Sequence, residues 1–289
     1  MFFTLHMHKK LPLLFVTIIA VSFLLFCGAG NTAKANDNGR GVKLPILMYH
    51  SMLKEEKYQG AYVVSPDMFQ SDLEYLKKNG YTTVVMQDLI NYVNKKASLP
   101  AKPIMITFDD GYYNNYLYAY PLLKEYHMKM VLSPIGACTD IFSDSGEADH
   151  PNYSHCTWNE LKEMMDSGCV EVQNHTYNLH SGKGRRGAAK KWGESVGQYE
   201  TVLTTDLMKV QNEIKDHTGW LPTTFVYPFG EVSSASIPVV KKLGFQGSMN
   251  CQYKMNYITE DPECLYNLGR YLRPGKVPTE ECFRTIGID

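Results

Sequence analysis

The sequence lacks three features that would assign it to common functional classes. Its formal net charge is only -1 at pH 7, whereas a general nucleic-acid-binding protein carries a clear basic excess. None of its seven cysteines belongs to a C-x-x-C pair, which argues against a zinc site built from cysteine. No internal repeat is present. We therefore predict that the protein binds no nucleic acid, and that any metal site uses other side chains.

The N-terminal segment resembles a targeting sequence. A polar, basic start precedes an almost wholly apolar run over residues 11–30, and Ala33-Lys34-Ala35 fits a signal-peptide cleavage site. About 20 apolar residues could also span a bilayer as an uncleaved anchor, so membrane attachment stays open. In either case the rest of the chain lies outside the cytoplasm, as an extracellular or cell-surface protein. The expected division of the chain is a signal peptide or membrane anchor (1–35), a linker (36–43) and one domain (44–289).

Six cysteines follow this leader, and an even number in an exported chain permits disulfides. Cys251 with Cys264, and Cys138 with Cys156, would close short loops. Burial as small free side chains explains the same residues equally well. The sequence does not separate these two alternatives.

Strand-like and helix-like segments alternate about seven times from Leu44 onward. Ser65-Pro66-Asp67 opens one helix with a cap residue and a proline, and Thr157 opens another with Glu160 three residues further on. This alternation predicts an α/β fold with a parallel sheet and outer helices. The length suits a distorted (β/α) barrel of about seven parallel strands in a single catalytic domain.

Two polar stretches interrupt this pattern. Residues 136–153 are polar and are expected to be irregular. Residues 181–198 are rich in glycine, lysine and arginine and are expected to form an exposed loop. The basic side chains of this loop could contact an acidic polymer, although ordinary solvation also explains them.

The strand Pro103–Phe108 ends in two adjacent carboxylates, Asp109 and Asp110, followed by Gly111. Its apolar run is typical of a parallel strand buried on both faces. Acids at the carboxyl end of such a strand lie where α/β enzymes place their chemistry. One acid could bind a metal while the other acts as a base. A polar turn with an aspartate cap on the next helix is the alternative interpretation.

Three histidines also follow predicted strands: His50, His175 and His180. His175 and His180 are five residues apart, which on a helix places them about 140° apart, so they converge only if the backbone turns. One carboxylate with two histidines is a common ligand set for catalytic zinc. The metal would activate water, a second carboxylate would take its proton, and another histidine would protonate the leaving group. Such a site hydrolyses an amide or an ester.

These residues resemble the motifs of the polysaccharide deacetylases with a NodB-homology domain, carbohydrate esterase family four. Thr107–Gly111 matches the first motif, T-F-D-D-G. The segment 175–180 resembles the second, H-[S/T]-x-x-H, with one extra residue, as in the branch that acts on poly-N-acetylglucosamine. Tyr227–Gly230 resembles the third, R-x-P-[Y/F].

The resemblance implies a role for each motif residue. Asp109 is the expected base. A divalent metal, Zn²⁺ with Co²⁺ or Ni²⁺ as alternatives, is the expected cofactor. Its expected ligands are Asp110, His175 and His180. Phe229, with Pro228 beside it, is expected to line the substrate groove, and the Phe229 N–H is expected to serve the oxyanion. Tyr112 is not part of a motif, but it follows the two acids closely enough to line the same pocket.

Two departures from the family pattern affect the remaining roles. Val226 stands where the third motif has the arginine that orients the base, and Arg270 is predicted to replace it, with Arg273 as second choice. The L-x-x-H motif that supplies the general acid is absent near the C-terminus, but Leu47-Met48-Tyr49-His50 has this form. We therefore predict that His50 is the acid, in a rearranged order of motifs.

The expected function is that of a secreted, metal-dependent hydrolase that deacetylates N-acetylglucosamine-containing polysaccharide, either peptidoglycan or poly-N-acetylglucosamine, and acts as a monomer. An O-acetyl esterase acting on xylan is the main alternative. A non-catalytic glycan-binding protein that keeps the fold is a third reading, supported by Val226. A glycosidase would leave both histidines of the second motif unexplained.

Overall fold

The computed structural model describes residues 41–288 of the 289-residue chain. The expected leader and most of the expected linker lie outside the described residues. The first strand begins at Val42, two residues before the expected start of the domain. No helix within residues 41–288 combines the length and the apolar character that crossing a membrane requires.

The described residues contain short strands separated by helices. In chain order the strands are β1 (Val42–Leu44), β2 (Ile46–Tyr49), β3 (Ser51–Met52), β4 (Val63–Val64), β5 (Thr82–Thr83), β6 (Pro103–Asp110), β7 (Met130–Pro134), β8 (Val170–Val172), β9 (Thr224–Val226), β10 (Gly247–Met249), β11 (Asn256–Ile258) and β12 (Tyr271–Leu272). The α-helices are α1 (Pro66–Lys78), α2 (Met86–Val93), α3 (Tyr120–Tyr126), α4 (Gly136–Ser145), α5 (Trp158–Asp166), α6 (Val196–Thr218), α7 (Ser236–Lys242) and α8 (Thr279–Thr285).

Local sequence signals account for several helix starts. The Ser65 hydroxyl accepts the amide of Met68 at the start of α1. Thr157 and Glu160 form a capping box at α5, as their spacing predicts. Ser195 and its partner Gln198 form the same motif at α6, so this helix begins within the stretch 181–198 that was expected to be a loop.

The parallel strands close into a barrel. One continuous sheet has the order β12-β2-β6-β7-β8, and β9 pairs in parallel with β10. Two parallel bridges join these parts: Asn174 pairs with Phe225 between β8 and β9, and Met249 pairs with Leu268 just before β12. The ring therefore contains seven parallel strands, which confirms the predicted barrel.

Strand β6 lies in the middle of the sheet, and all eight of its residues are buried. Phe108 stacks on Tyr49 of the neighbouring strand at 4.9 Å between ring centroids, and both rings contact Phe69 of α1 edge-on. Burial of each such side chain contributes roughly 1.5–3 kcal/mol. This packing fixes the strand whose last two residues are Asp109 and Asp110.

The region 136–153 departs from the sequence-based expectation, because its first part is helix α4. The amides of Gly136 and Ala137 donate to the carbonyls of Thr176 and Tyr177, which fixes the start of the helix. A Cβ atom on Gly136 would lie 2.9 Å from side-chain atoms of Tyr177 and Val210. Long-range packing, invisible in local sequence, therefore forms this helix.

The cysteines between residues 41 and 288 form no disulfide. All six cysteines in the described residues are free, including the two candidate pairs Cys138 with Cys156 and Cys251 with Cys264. Cys156 and Cys282 are buried, and the other four are partly buried. The interpretation as small packed side chains therefore describes these residues better than a disulfide framework.

Candidate active site

Asp110, His175 and His180 converge at the carboxyl end of the barrel. One ligand-type atom from each side chain lies within 4.8 Å of the others. The Nε2 atoms of His175 and His180 lie 3.5 Å and 3.2 Å from Oδ1 of Asp110. That oxygen is buried and has no hydrogen-bonding partner among the described residues. A carboxylate oxygen and two imidazole nitrogens that face one another form a suitable set of metal ligands, and a bound metal would also give the buried oxygen the partner that it lacks.

The chain turn after β6 directs Asp110 toward the histidines. Asp110 and Gly111 both adopt positive φ angles, 70° and 73°. A non-glycine residue in this region is uncommon and signals a constraint of the site. Gly111 also packs against β7, where an added Cβ atom would lie 2.7 Å from Cβ of Pro134. The glycine of the first motif is therefore required both by its φ angle and by this close contact.

A second turn brings the two histidines together. Thr176 has a φ of 75°, and its amide donates to the side-chain oxygen of Asn174. The amides of Tyr177 and Asn178 donate to the carboxylate of Asp206 on α6. This turn reverses the chain after β8 and places the imidazole centroids of the two histidines 5.1 Å apart.

His175 is oriented by a contact on its far side. Its Nδ1 lies 2.8 Å from the carbonyl oxygen of Val226, the last residue of β9. The hydrogen belongs on Nδ1, because a carbonyl only accepts, and Nε2 is then left as a free ligand atom. Burial lowers the pKa of His175, but the carboxylates of Asp109 and Asp110 outweigh it and the net direction is upward.

Asp109 forms a bidentate ion pair with Arg270, which lies just before β12. Both distances between guanidinium nitrogens and carboxylate oxygens are 2.7 Å, and both side chains are buried. Arg270 also donates to the Asn250 carbonyl and to the Thr107 hydroxyl. Burial raises the pKa of Asp109, but the guanidinium outweighs it and leaves this pKa below its ordinary value.

Arg273, the second candidate partner for Asp109, lies elsewhere in the structure. It forms a bidentate pair with Asp72 of α1, at 2.8 Å and 2.9 Å. Tyr49 and Thr279 also donate to this carboxylate. Arg273 therefore ties α1 to the C-terminal segment and does not contact the first-motif acids.

His50 follows β2 and lines the same cavity as the two acids. Its Nδ1 is buried without a hydrogen-bonding partner in the described residues, and burial lowers its pKa. The side-chain amide of Asn115 donates to the His50 carbonyl at 2.8 Å. Asn114 accepts the Met52 amide and donates to the Ser51 hydroxyl. The segment after the first motif thus holds the turn that carries His50.

Of the three predicted groove residues, Tyr112 and Phe229 line the cavity, whereas Pro228 is buried and does not line it. Tyr112 lines the cavity, and burial together with the nearby Asp110 carboxylate raises its pKa. Pro228 begins a short 3-10 turn, in which Phe229 has a φ of 58°. The Phe229 ring lies 4.5 Å from the His180 ring, between centroids, and is partly exposed. This turn therefore forms the rim of the cavity next to the histidines.

The cavity has a volume of about 490 Å³ and includes residues that the sequence interpretation missed. Tyr62, Tyr253 and Cys251 line it, and so does Arg186 from the predicted solvated loop. These residues belong to no motif and come from three distant segments of the chain. The basic character of residues 181–198 was visible, but nothing in that stretch indicated contact with the Phe229 turn.

The site combines an ionised carboxylate held by an arginine with a cluster able to hold a cation, at the carboxyl end of a parallel barrel. This arrangement is that of a hydrolase that activates water. The family model for polysaccharide deacetylase matches residues 96–248, more than half of the chain, and the chain belongs to this family. The match includes Asp109, Asp110 and both ligand-type histidines but not His50 or Arg270, which lie on either side of it.

Named relatives extend the comparison. The chain is 27% identical over 210 residues to poly-beta-1,6-N-acetyl-D-glucosamine N-deacetylase of Staphylococcus aureus strain MSSA476, covering 72% of this chain and 67% of that protein. It is 24% identical over 217 residues to the Escherichia coli K12 protein of the same name, covering 69% of this chain. Only 32% of the E. coli protein is covered, so the chain spans about a third of its length.

Solved structures show the same fold. A de-N-acetylase from Aggregatibacter actinomycetemcomitans superposes with a TM-score of 0.69 at 29% identity, covering 85% of this chain and 98% of that one. IcaB from Ammonifex degensii gives a TM-score of 0.67 at 24% identity, covering 86% and 97%. The family resemblance and the fold class expected from the motifs are confirmed.

Proposed function

We propose that this protein is an exported, metal-dependent hydrolase that removes acetyl groups from N-acetylglucosamine-containing polysaccharide, with poly-N-acetylglucosamine or peptidoglycan as substrate. The observation that carries the proposal is the convergence of Asp110, His175 and His180 beside an Asp109 carboxylate held by Arg270. The names of the S. aureus and E. coli relatives support the substrate class. Export rests on the leader in the sequence.

The three clustered side chains would hold the metal. Two neutral imidazoles and one carboxylate suit Zn²⁺, and Co²⁺ or Ni²⁺ accept the same donors. When bound, the cation would supply Lewis acidity to the attacking water and to the acetyl carbonyl. The Val226 carbonyl orients the His175 imidazole, and the turn at Thr176 brings His180 beside it, so the ligands need little rearrangement.

The other residues would move protons. Asp109 accepts the proton of the attacking water, and Arg270 keeps it ionised and aimed. His50, at the carboxyl end of the neighbouring strand β2, donates a proton to the leaving amine. The Phe229 N–H, in its strained turn at the rim, stabilises the developing oxyanion. Tyr112 and the Phe229 ring line the groove that positions the acetyl group, and the buried Pro228 begins the turn that carries Phe229.

Acetate release tests this proposal. The purified protein is incubated with poly-N-acetylglucosamine, peptidoglycan, chitin oligomers and acetylated xylan, each with and without chelator. Chelator-sensitive acetate release from the N-acetylglucosamine polymers is the expected result. Release from xylan alone would indicate the O-acetyl esterase, and binding without release would indicate a glycan-binding protein.

A further inference from the structure

Two exposed tyrosines at the catalytic cavity are not explained by the family motifs. Tyr62 and Tyr253 line the cavity while 59% and 61% of their surfaces remain exposed. Tyr62 lies just before β4, and Tyr253 lies in the segment between β10 and β11. Exposed aromatic side chains gathered at one cavity mark a binding surface, whereas scattered single ones do not.

Each of these tyrosines packs against another ring at or near the reacting centre. The Tyr62 ring packs edge-on against His50, with 5.0 Å between centroids and 74° between planes. The Tyr253 ring lies 5.8 Å from that of Tyr271 on β12. Tyr62 and Tyr253 reach the same cavity from two distant segments of the chain. We refer to Tyr62, Tyr253 and Tyr271 as the aromatic wall.

The wall is fixed to the backbone that carries the catalytic side chains. The Ser51 amide, next to His50, donates to the Tyr62 carbonyl at 3.1 Å. The Arg270 amide donates to the Gln252 carbonyl at 3.0 Å, immediately before Tyr253. A ligand that stacks on the wall would therefore meet a pre-ordered surface and would lose little free energy in ordering it.

The surroundings favour a neutral ligand. The apolar side chains of Met48 and Leu272 line the cavity together with Tyr62 and Tyr253. The cation at the rim, Arg186, is engaged: its Nε donates to Glu231 at 2.6 Å, and its guanidinium lies 5.0 Å from the Phe229 ring centroid. A pyranose ring presents polarised C–H groups on its faces, which pack on the negative face of an aromatic ring.

We propose that the aromatic wall binds the sugar units next to the one that is deacetylated, by stacking Tyr62 and Tyr253 on their pyranose faces. The inference rests on the proposed function and extends it: the enzyme recognises a polymer, and its affinity rises with the number of neutral sugar units. Since Tyr62 also touches His50, the first adjoining unit would lie directly beside the general acid.

Binding of β-1,6-linked N-acetylglucosamine oligomers, from dimer to pentamer, tests the wall. The Kd is measured by titration calorimetry in a metal-loaded Asp109→Asn background, which keeps an acceptor for Arg270 and does not consume the ligand. The Kd should fall with oligomer length. Tyr62→Ala and Tyr253→Ala should each raise the Kd of the pentamer at least about threefold and reduce the length dependence. Replacement of either residue by phenylalanine should preserve affinity.

Tyr58→Ala is the matched control, because Tyr58 is an exposed tyrosine of the same region that does not line the cavity. It should leave every Kd unchanged. The proposal would be overturned if the Kd did not depend on oligomer length in the parent, or if it depended on length equally in the parent and in both alanine variants.

Acetate release by the protein with native Asp109 is measured separately. If binding depends on oligomer length but no acetate is released, the proposed function is refuted, whereas the proposal that the aromatic wall binds sugar units still holds.

Discussion

Arg270 donates two parallel hydrogen bonds of 2.7 Å to Asp109, and both side chains are buried at the base of the catalytic cavity. The arginine comes from the segment before β12 and not from the third motif, where Val226 stands. Val226 has its own use, because its carbonyl orients His175. Position 226 therefore contributes to the site through its backbone carbonyl, although its side chain is not an arginine.

Loss of this pair should change the pH dependence of catalysis. In Arg270→Gln the pKa of Asp109 rises, because the neighbouring positive charge is gone. The base is then protonated at a higher pH, so the acid limb of the pH profile for kcat/KM should shift upward. We expect kcat/KM to fall about 100-fold at neutral pH, since the base is also no longer aimed.

Arg273→Gln is the control for this experiment, because it breaks a second buried bidentate pair, with Asp72, away from the acids. Both variants should lose roughly 3–5 kcal/mol of stability, measured by urea unfolding. Only Arg270→Gln should move the acid limb. An unmoved limb in a folded Arg270→Gln protein would show that Arg270 does not act through Asp109.

The metal cluster can be separated from the base by comparing two adjacent substitutions. Asp110→Ala should abolish metal binding and activity, because it removes one of the three ligands. Asp109→Asn should abolish activity but retain the metal. Metal content after dialysis is measured by mass spectrometry, and the Tm is compared with and without added zinc. Binding to the folded state raises the Tm, so a zinc-dependent rise should occur in Asp109→Asn and not in Asp110→Ala.

The role of His50 predicts a dependence on the leaving group. An amine must be protonated as it departs, whereas an activated aryl alcohol leaves unaided. His50→Gln should therefore lose about 100-fold or more in acetate release from N-acetylglucosamine oligomers, but little in hydrolysis of an aryl acetate. Asn115→Leu should show a weaker form of this pattern, because Asn115 holds the His50 carbonyl. Equal losses on both substrates would exclude the acid role.

The glycine of the first motif can be tested against a matched glycine. Gly111→Ala combines a φ of 73° with a contact of 2.7 Å to Pro134, whereas Gly168→Ala has a φ of 75° and open space. We expect Gly168→Ala to lower the free energy of unfolding by about 1 kcal/mol and Gly111→Ala by about 3 kcal/mol or more. Urea denaturation measures both. Only Gly111→Ala should also lose activity, since Gly111 follows Asp110.

The sequence was sufficient for features that depend on local order. The alternation of elements predicted the parallel barrel, the capping box at Thr157 predicted a helix start, and the first motif placed Asp109 and Asp110 at a strand end. Helix α4 could not be predicted in the same way, because its start depends on hydrogen bonds to residues about forty positions away. The disulfide question stayed open for the same reason, since pairing depends on distances in space.

What the sequence alone determined about this protein is the chemistry at its strand ends: two acids, three histidines and the family they indicate. Which of these side chains pair with one another was decided only when the barrel closed. Two arginines three residues apart were the candidate partners of Asp109, Arg270 first and Arg273 second; in the structure Arg270 pairs with Asp109 and Arg273 pairs with Asp72. Closure of the barrel also brought Tyr62 and Tyr253 to the same cavity. Local sequence encodes strand ends and turns, whereas contacts between distant segments exist only once the strands have closed into a ring.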